Sequence, residues 1–191
     1  MDPVKKLLIC EEIRKLRALY GIYTDTKRSR EWADLFTEDC VFDERYALTP
    51  KDPVTKETLP VKGFDNEWLD SIVLNSMEWP IRGREAVYEH HYAQLHSEGI
   101  TAAVKDADDS QDTRCLATQH AVYNGAITVD SETTASGIWP TRIFAQYADK
   151  APITRLWFPA VYYDTYEEVD GKWLIASVDF EVQWLDVEGP Q

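Results

Sequence analysis

The chain has 191 residues, 44% hydrophobic and 12% aromatic, enough apolar mass for one packed domain enclosing a cavity and too much for disorder. A net charge of −14, with no basic cluster beyond Lys27-Arg28-Ser29-Arg30, disfavours nucleic acid and anionic membranes as partners. Cys10, Cys40 and Cys115 are too widely spaced for a disulfide framework or a zinc site, and read as reduced thiols of a cytoplasmic protein.

Acidic residues follow the N-terminal Leu7-Leu8-Ile9 too soon for a signal peptide. No run approaches the roughly 18 apolar residues of a membrane span. Seven Trp and ten Tyr mostly fill a core, and such a surplus also suits a pocket for a flat, apolar ligand.

Leu8, Ile9, Ile13, Leu16, Leu19, Tyr20 and Tyr23 recur at helical spacing, which predicts an amphipathic helix over residues 4–24. Ser29 is a candidate N-cap for a short second helix, Arg30 to Phe36, and residues 40–46 alternate like a first strand. Pro50, Pro53 and Pro60 make residues 47–62 an irregular loop, and Phe64 to Asn75 forms a short extra helix with Trp68, Leu69, Ile72 and Val73 on its apolar side. Together these residues make an insert, 47–80, expected to fold as a lid over the site.

A further helix is expected from Glu85 to Ser97, followed by a polar loop at 105–112. Four long strands then follow, Thr113–Val129, Thr133–Tyr147, Thr154–Val169 and Lys172–Val187. Turns at 130–132 and at Asp170-Gly171 join them in pairs. Helices followed by an antiparallel meander imply an α+β domain spanning 1–191, a cone-shaped curved sheet wrapped around N-terminal helices.

Tyr20, Asp25 and His120 are the candidate catalytic set. A carboxylate orients an imidazole, the imidazole abstracts a proton, and a phenol protonates a leaving hydroxyl or holds an oxyanion. Five helical residues rotate Tyr20 and Asp25 to about 140° apart, so both reach one cavity if the helix ends between them. His120 sits among Leu116, Thr118 and Val122 on one face of its strand, as on a cavity wall. His90 and His91 point about 100° apart, one inward and one to solvent, with no paired-ligand spacing for a metal. Candidate substrate contacts are Trp139, Phe158, Phe180, Asn124 and His91. No Gly-x-Gly-x-x-Gly or phosphate loop occurs, and no cofactor is expected.

The run Ile13-x-x-Leu16-x-x-x-Tyr20-x-x-x-x-Asp25, the Trp32-x-x-Leu35-Phe36-x-x-Asp39 segment, His120 with Asp130 to Trp139, and Tyr166-Glu-x-x-Asp170-Gly171-x-Trp173 form a recurrent pattern. It resembles the SnoaL-like branch of the nuclear-transport-factor-2-like superfamily, over nearly the whole chain except residues 47–80. Within it, the pattern is most similar to the bile-acid 7-alpha-dehydratase, dehydrochlorinase and scytalone-dehydratase type of lyase. The resemblance implies Tyr20, Asp25 and His120 as catalytic residues and a dimer or trimer as the assembly. That group's late arginine has no counterpart near Asp179 to Gln183, so the resemblance does not extend to a carboxylate-bearing bile acid.

Three readings compete. The first is a cofactor-independent dehydratase for a hydroxylated polycyclic or aromatic small molecule. The second is an isomerase or cyclase of a polyketide or terpenoid type, using the same residues. The third is a non-catalytic small-molecule-binding protein. Alternation also forbids Trp157, Val161, Tyr163 and Trp184 from all facing inward, which predicts a homo-oligomer covering the outer sheet face.

Overall fold

The computed structural model describes residues 1–67, 69, 78–97, 115–148 and 153–189. Helix α1 (Pro3–Asp25) starts where Asp2 accepts a hydrogen bond from the Val4 amide at 3.1 Å and Pro3 occupies the first turn. Ile9, Ile13, Leu16, Arg17, Tyr20, Gly21 and Thr24 form its buried face, whereas Leu8 is exposed. The helix runs unbroken from Pro3 to Asp25, within a residue of the expected span at each end. It closes at Thr26, whose amide bonds back to Ile22 and whose hydroxyl donates to the Ile22 carbonyl.

Helix α2 (Ser29–Ala33) is shorter than expected, because the chain turns at Asp34 and strand β1 (Phe36–Asp43) begins early. Phe36 is fully buried as the first strand residue, which its apolar neighbours Trp32, Ala33 and Leu35 disguise as a helical continuation. Strand β2 (Ile81–Arg82) pairs with β1, and α3 (Arg84–Tyr92) continues into a π-helical turn at Ala93–Ser97.

The strand expected at 113–129 is split into β3 (Cys115–Val122) and β4 (Ala126–Val129), both paired with β5 (Thr134–Tyr147). The break falls at Gly125, where the ring of Trp139 occupies the space a Cβ would need. Strand β6 (Arg155–Val169) turns tightly into β7 (Lys172–Val182), with Asp170 at φ 51° and Gly171 at φ 81°. A last short strand, β8 (Asp186–Glu188), returns to pair with β6.

The sheet order is β2-β1-β7-β6-β5-β3. All its pairings are antiparallel except that of β1 with β7, which is parallel. The result is an α+β fold, a mixed curved sheet with α1 packed on its inner face. Along β6, Leu156, Phe158, Ala160, Tyr162, Asp164 and Tyr166 point inward and are buried. Trp157, Tyr163 and Trp184 are exposed.

Of the 47–80 insert, Leu48, Thr49, Val61 and Leu69 are buried. Its loop docks on the end of β7 through the Lys51 amide on Val182 O at 2.8 Å and the Lys56–Glu181 ion pair at 2.9 Å. Trp68, Ile72 and Val73 of the expected extra helix, and the loop at 105–112, lie outside the described residues.

Candidate active site

Asp25 is the last residue of α1, and its carboxylate reaches across to β3. One oxygen lies 2.7 Å from His120 Nδ1 and the other accepts from the His120 backbone amide at 2.9 Å. Both contacts need α1 to lie close against β3. Gly21 faces His120 at this approach, where a Cβ would stand 3.4 Å from the His120 Cβ and carbonyl oxygen, in ordinary contact. The carboxylate only accepts, so Nδ1 carries the hydrogen, and in the neutral form of the ring the lone pair is on Nε2. The His120 side chain is 9% exposed and that of Asp25 25%, a sheltered pair still reachable from solvent.

Tyr20 lies one turn earlier on the core side of α1. Its ring packs against Trp32 at 5.2 Å, Tyr162 at 5.7 Å and Phe36 at 6.2 Å. Ring contacts join Tyr20 to this aromatic layer, and hydrogen bonds join Asp25 to His120. The two groups are linked through the backbone of α1, where Gly21 follows Tyr20 and touches His120.

A charged residue sits in the middle of the aromatic layer. The Arg17 guanidinium lies 4.1 Å from the Tyr20 ring centre and 3.8 Å from that of Tyr162, held between two π faces. Its carboxylate partner is Asp164 at 3.4 Å, and both side chains are 0% exposed. Asp164 accepts from the Tyr166 hydroxyl at 2.6 Å, which in turn accepts from Trp139 Nε1 at 2.8 Å. The three guanidinium nitrogens and Asp164 Oδ1 make no hydrogen bond. Burial pushes the Asp164 carboxyl up, against the pull of Arg17 and Tyr166.

Glu44 follows β1 with the inward parity of Cys40 and Phe42. Its carboxyl is pushed up to about 7 by burial, with Arg17 and the nearby Tyr20 opposing that shift and Asp43 reinforcing it. Burial, Tyr162 and Glu44 hold the Tyr20 phenol well above its ordinary value, with Arg17 opposing.

Trp139, Phe158 and Phe180 are all buried on the inner sheet face. Phe180 packs on Tyr162 at 4.5 Å and on Phe158 at 6.1 Å, so these rings continue the wall that begins at Tyr20. Asn124 is exposed in the turn between β3 and β4. His91 is buried, stacks on Trp32 at 3.9 Å, and binds Ser29 Oγ at 2.9 Å and Thr24 Oγ1 at 3.3 Å, which ties α1, α2 and α3 together.

The expected split of His90 and His91 into one inward and one solvent-facing ring is not found, since His90 is half-buried. Its ring lies against Trp79 at 5.5 Å and Phe42 at 5.9 Å, and burial lowers it to about 4. Among the described residues no cluster of His, Cys, Asp and Glu has metal-holding geometry, and no helix is long and apolar enough to cross a membrane. The three cysteines are free thiols. A recess of about 280 Å³ lies on the outer sheet face between Phe144, Arg155, Trp157, Asp186 and Glu188, on the opposite side from His120.

Arg17, Glu44 and Asp164 were not singled out by sequence reasoning, although the signals were present. Arg17 is three residues before Tyr20, on the same helical face. Glu44 keeps step with Cys40 and Phe42, and Asp164 with Tyr162 and Tyr166.

The chain belongs to the SnoaL-like domain family, whose model matches residues 5–179. No curated protein matches it by sequence. Among solved structures it is similar to a protein from Novosphingobium aromaticivorans classed as a scytalone dehydratase, with 17% identity over 100% of this chain and 94% of that one and a TM-score of 0.64. A hexachlorocyclohexane dehydrochlorinase from Novosphingobium barchaimii shares 13% identity over 98% of this chain and 94% of that one, with a TM-score of 0.62. A protein from Novosphingobium aromaticivorans classed as an aromatic ring hydroxylase shares 16% identity over 98% and 96%, also with a TM-score of 0.62. At these identities the likeness concerns the fold, a SnoaL-like frame shared with dehydratases and dehydrochlorinases.

Proposed function

We propose that the protein is a cofactor-independent lyase, a dehydratase acting on a hydroxylated polycyclic or aromatic small molecule. The observation that carries this reading is the double hold of Asp25 on His120, at 2.7 Å to the ring and 2.9 Å to the amide. It fixes the tautomer and rotation of the imidazole, stabilises the imidazolium that forms, and presents Nε2 as general base. His120 takes a proton from a carbon made acidic by a neighbouring carbonyl. Tyr20 protonates the departing hydroxyl or donates to the enolate oxygen. Trp139, Phe158, Phe180 and Tyr162 supply an apolar wall for a flat ring system. The insert at 47–80, whose Lys51 and Lys56 contact the end of β7, is the proposed cover that keeps water from the site.

The test is incubation with a panel of cyclic β-hydroxy ketones, followed by mass spectrometry. A product lighter by one water, lost on the order of 10²- to 10⁴-fold in His120→Ala, supports the reading. Full turnover in His120→Ala removes it. Product of unchanged mass, dependent on His120, favours an isomerase or cyclase. Ligand retention without turnover favours a binding protein.

A further inference from the structure

One helix carries a cation, a phenol and the carboxylate that holds the base. Arg17, Tyr20 and Asp25 follow one another along α1, and Gly21 between them faces His120. Helical side chains lean towards the N-terminus, so the Tyr20 ring falls over the turn that carries Arg17. The guanidinium lies 4.1 Å from the centre of that ring and 3.8 Å from the centre of Tyr162. Its three nitrogens are enclosed and make no hydrogen bond, so its charge acts on the two rings and on Asp164.

Asp164 holds this cation without quenching it. The carboxylate oxygen that lies 3.4 Å from Arg17 is bound more closely by the Tyr166 hydroxyl at 2.6 Å, to which Trp139 donates at 2.8 Å. As a brace for the core the pair contributes little, since desolvation of two ions offsets most of their attraction. Buried donors without acceptors add to that cost.

We propose that Arg17 is the positioning residue of the acid step, its guanidinium stabilising the negative charge that grows on the Tyr20 phenol as its proton passes to the departing hydroxyl. This rests on the lyase reading above and commits Tyr20 to the leaving group. Fully enclosed, Arg17 acts on the substrate only through Tyr20. A guanidinium suits the task, because it keeps its proton and its plane fits an aromatic face. Burial, Tyr162 and Glu44 disfavour a charged Tyr20, and Arg17 opposes them.

The step balances within the site. The substrate C–H proton moves to His120 Nε2, its electron pair forms the C=C bond, and the C–O pair leaves with the oxygen. The Tyr20 proton joins that oxygen as water. The phenolate then regains a proton and His120 releases one, both through water, so the net change is loss of one water.

Two reactions run side by side test this. Dehydration of a cyclic β-hydroxy ketone needs base and acid, whereas solvent deuterium wash-in on the same ketone without its hydroxyl needs the base alone. Arg17→Met with Asp164→Asn removes the cation and its counter-charge together, and near-UV circular dichroism matching the parent verifies its fold. This double variant is expected to lower kcat for dehydration on the order of 30-fold, the scale of a desolvated cation over an aromatic ring, with KM nearly unchanged and wash-in at the parent rate. Arg17→Lys keeps the charge and loses the stacked plane. It should show the same split with a smaller loss, and it carries the comparison if the double variant does not fold.

Made in Tyr20→Phe, the Arg17 and Asp164 substitutions should cost nothing further, because the residue they act through is gone. Dehydration at the parent rate in the folded double variant overturns the proposal. So does an equal loss of dehydration and wash-in, which marks a structural brace, or a full further loss in Tyr20→Phe. A parent protein that washes in deuterium but releases no water from any hydroxy ketone fails the lyase reading itself, and the role of Arg17 falls with it.

Discussion

Replacing Asp164 with Asn leaves the Arg17 cation buried with no counter-charge, because both side chains are fully enclosed and 3.4 Å apart. At an effective dielectric of about 20, that separation corresponds to about 5 kcal/mol of attraction between unit charges. Much of it offsets the desolvation of the two ions, so the intact pair is worth far less net than its removal costs. The stacked faces of Tyr20 and Tyr162 stabilise the cation further but supply no negative charge. Asp164→Asn is therefore expected to destabilise the protein by about 3–5 kcal/mol. Arg17→Met together with Asp164→Asn should return to within about 2 kcal/mol of the parent, since no buried ion is left and the amide placed at position 164 can still accept from Tyr166. Urea unfolding at 25 °C and pH 7 measures all the variants in one double-mutant cycle. An Asp164→Asn variant within about 1 kcal/mol of the parent would refute the view that these charges are isolated from solvent.

Other outcomes follow from the same residues. Glu44 has its folded value raised from 4.5 to about 7, so the folded state binds the extra proton between those values and stability falls as pH rises through the window, by about 3 kcal/mol. The difference in unfolding free energy between the parent and Glu44→Gln, measured from pH 4 to 9, should show that slope, and a flat difference counts against it. His90 has the opposite sign. Lowered from 6.5 to about 4, it stays neutral when folded, so its contribution is complete above the unfolded value and is lost as pH falls towards 4. His90→Leu should flatten that acid limb, and an unaltered limb contradicts the buried placement. Trp157, Tyr163 and Trp184 expose aromatic surface on the outer sheet face, with Trp157 beside the 280 Å³ recess. A homo-oligomer, dimer or trimer, is expected by light scattering, and a 22.0 kDa particle at micromolar concentration refutes it.

The hairpins were legible because Asp170-Gly171 accepts positive φ at both positions and the flanking strands alternate cleanly. Helix α1 was legible from its apolar stripe, and its last residue, Asp25, lies 2.7 Å from His120 Nδ1. The end of α2 was not, since Leu35-Phe36 is equally apolar as a helix end or as a strand start, and tertiary packing decides. The pairing of β1 with β7 joins residues more than a hundred apart, a register that no local pattern encodes. Within the site, apolar periodicity drew attention to Leu16 and Tyr20 and away from Arg17 between them. A charge on a buried face is conspicuous only once its partner Asp164 is known to face it from β6.

The central claim is that His120, held by Asp25, removes a proton from carbon. It is tested most directly by solvent deuterium wash-in on a cyclic ketone that lacks a leaving group, followed by proton NMR. The account predicts exchange at the carbon next to the carbonyl with the parent protein. It predicts loss of that exchange, on the order of 10²-fold or more, in both His120→Gln and Asp25→Asn. Exchange that persists at the parent rate in His120→Gln would contradict the account.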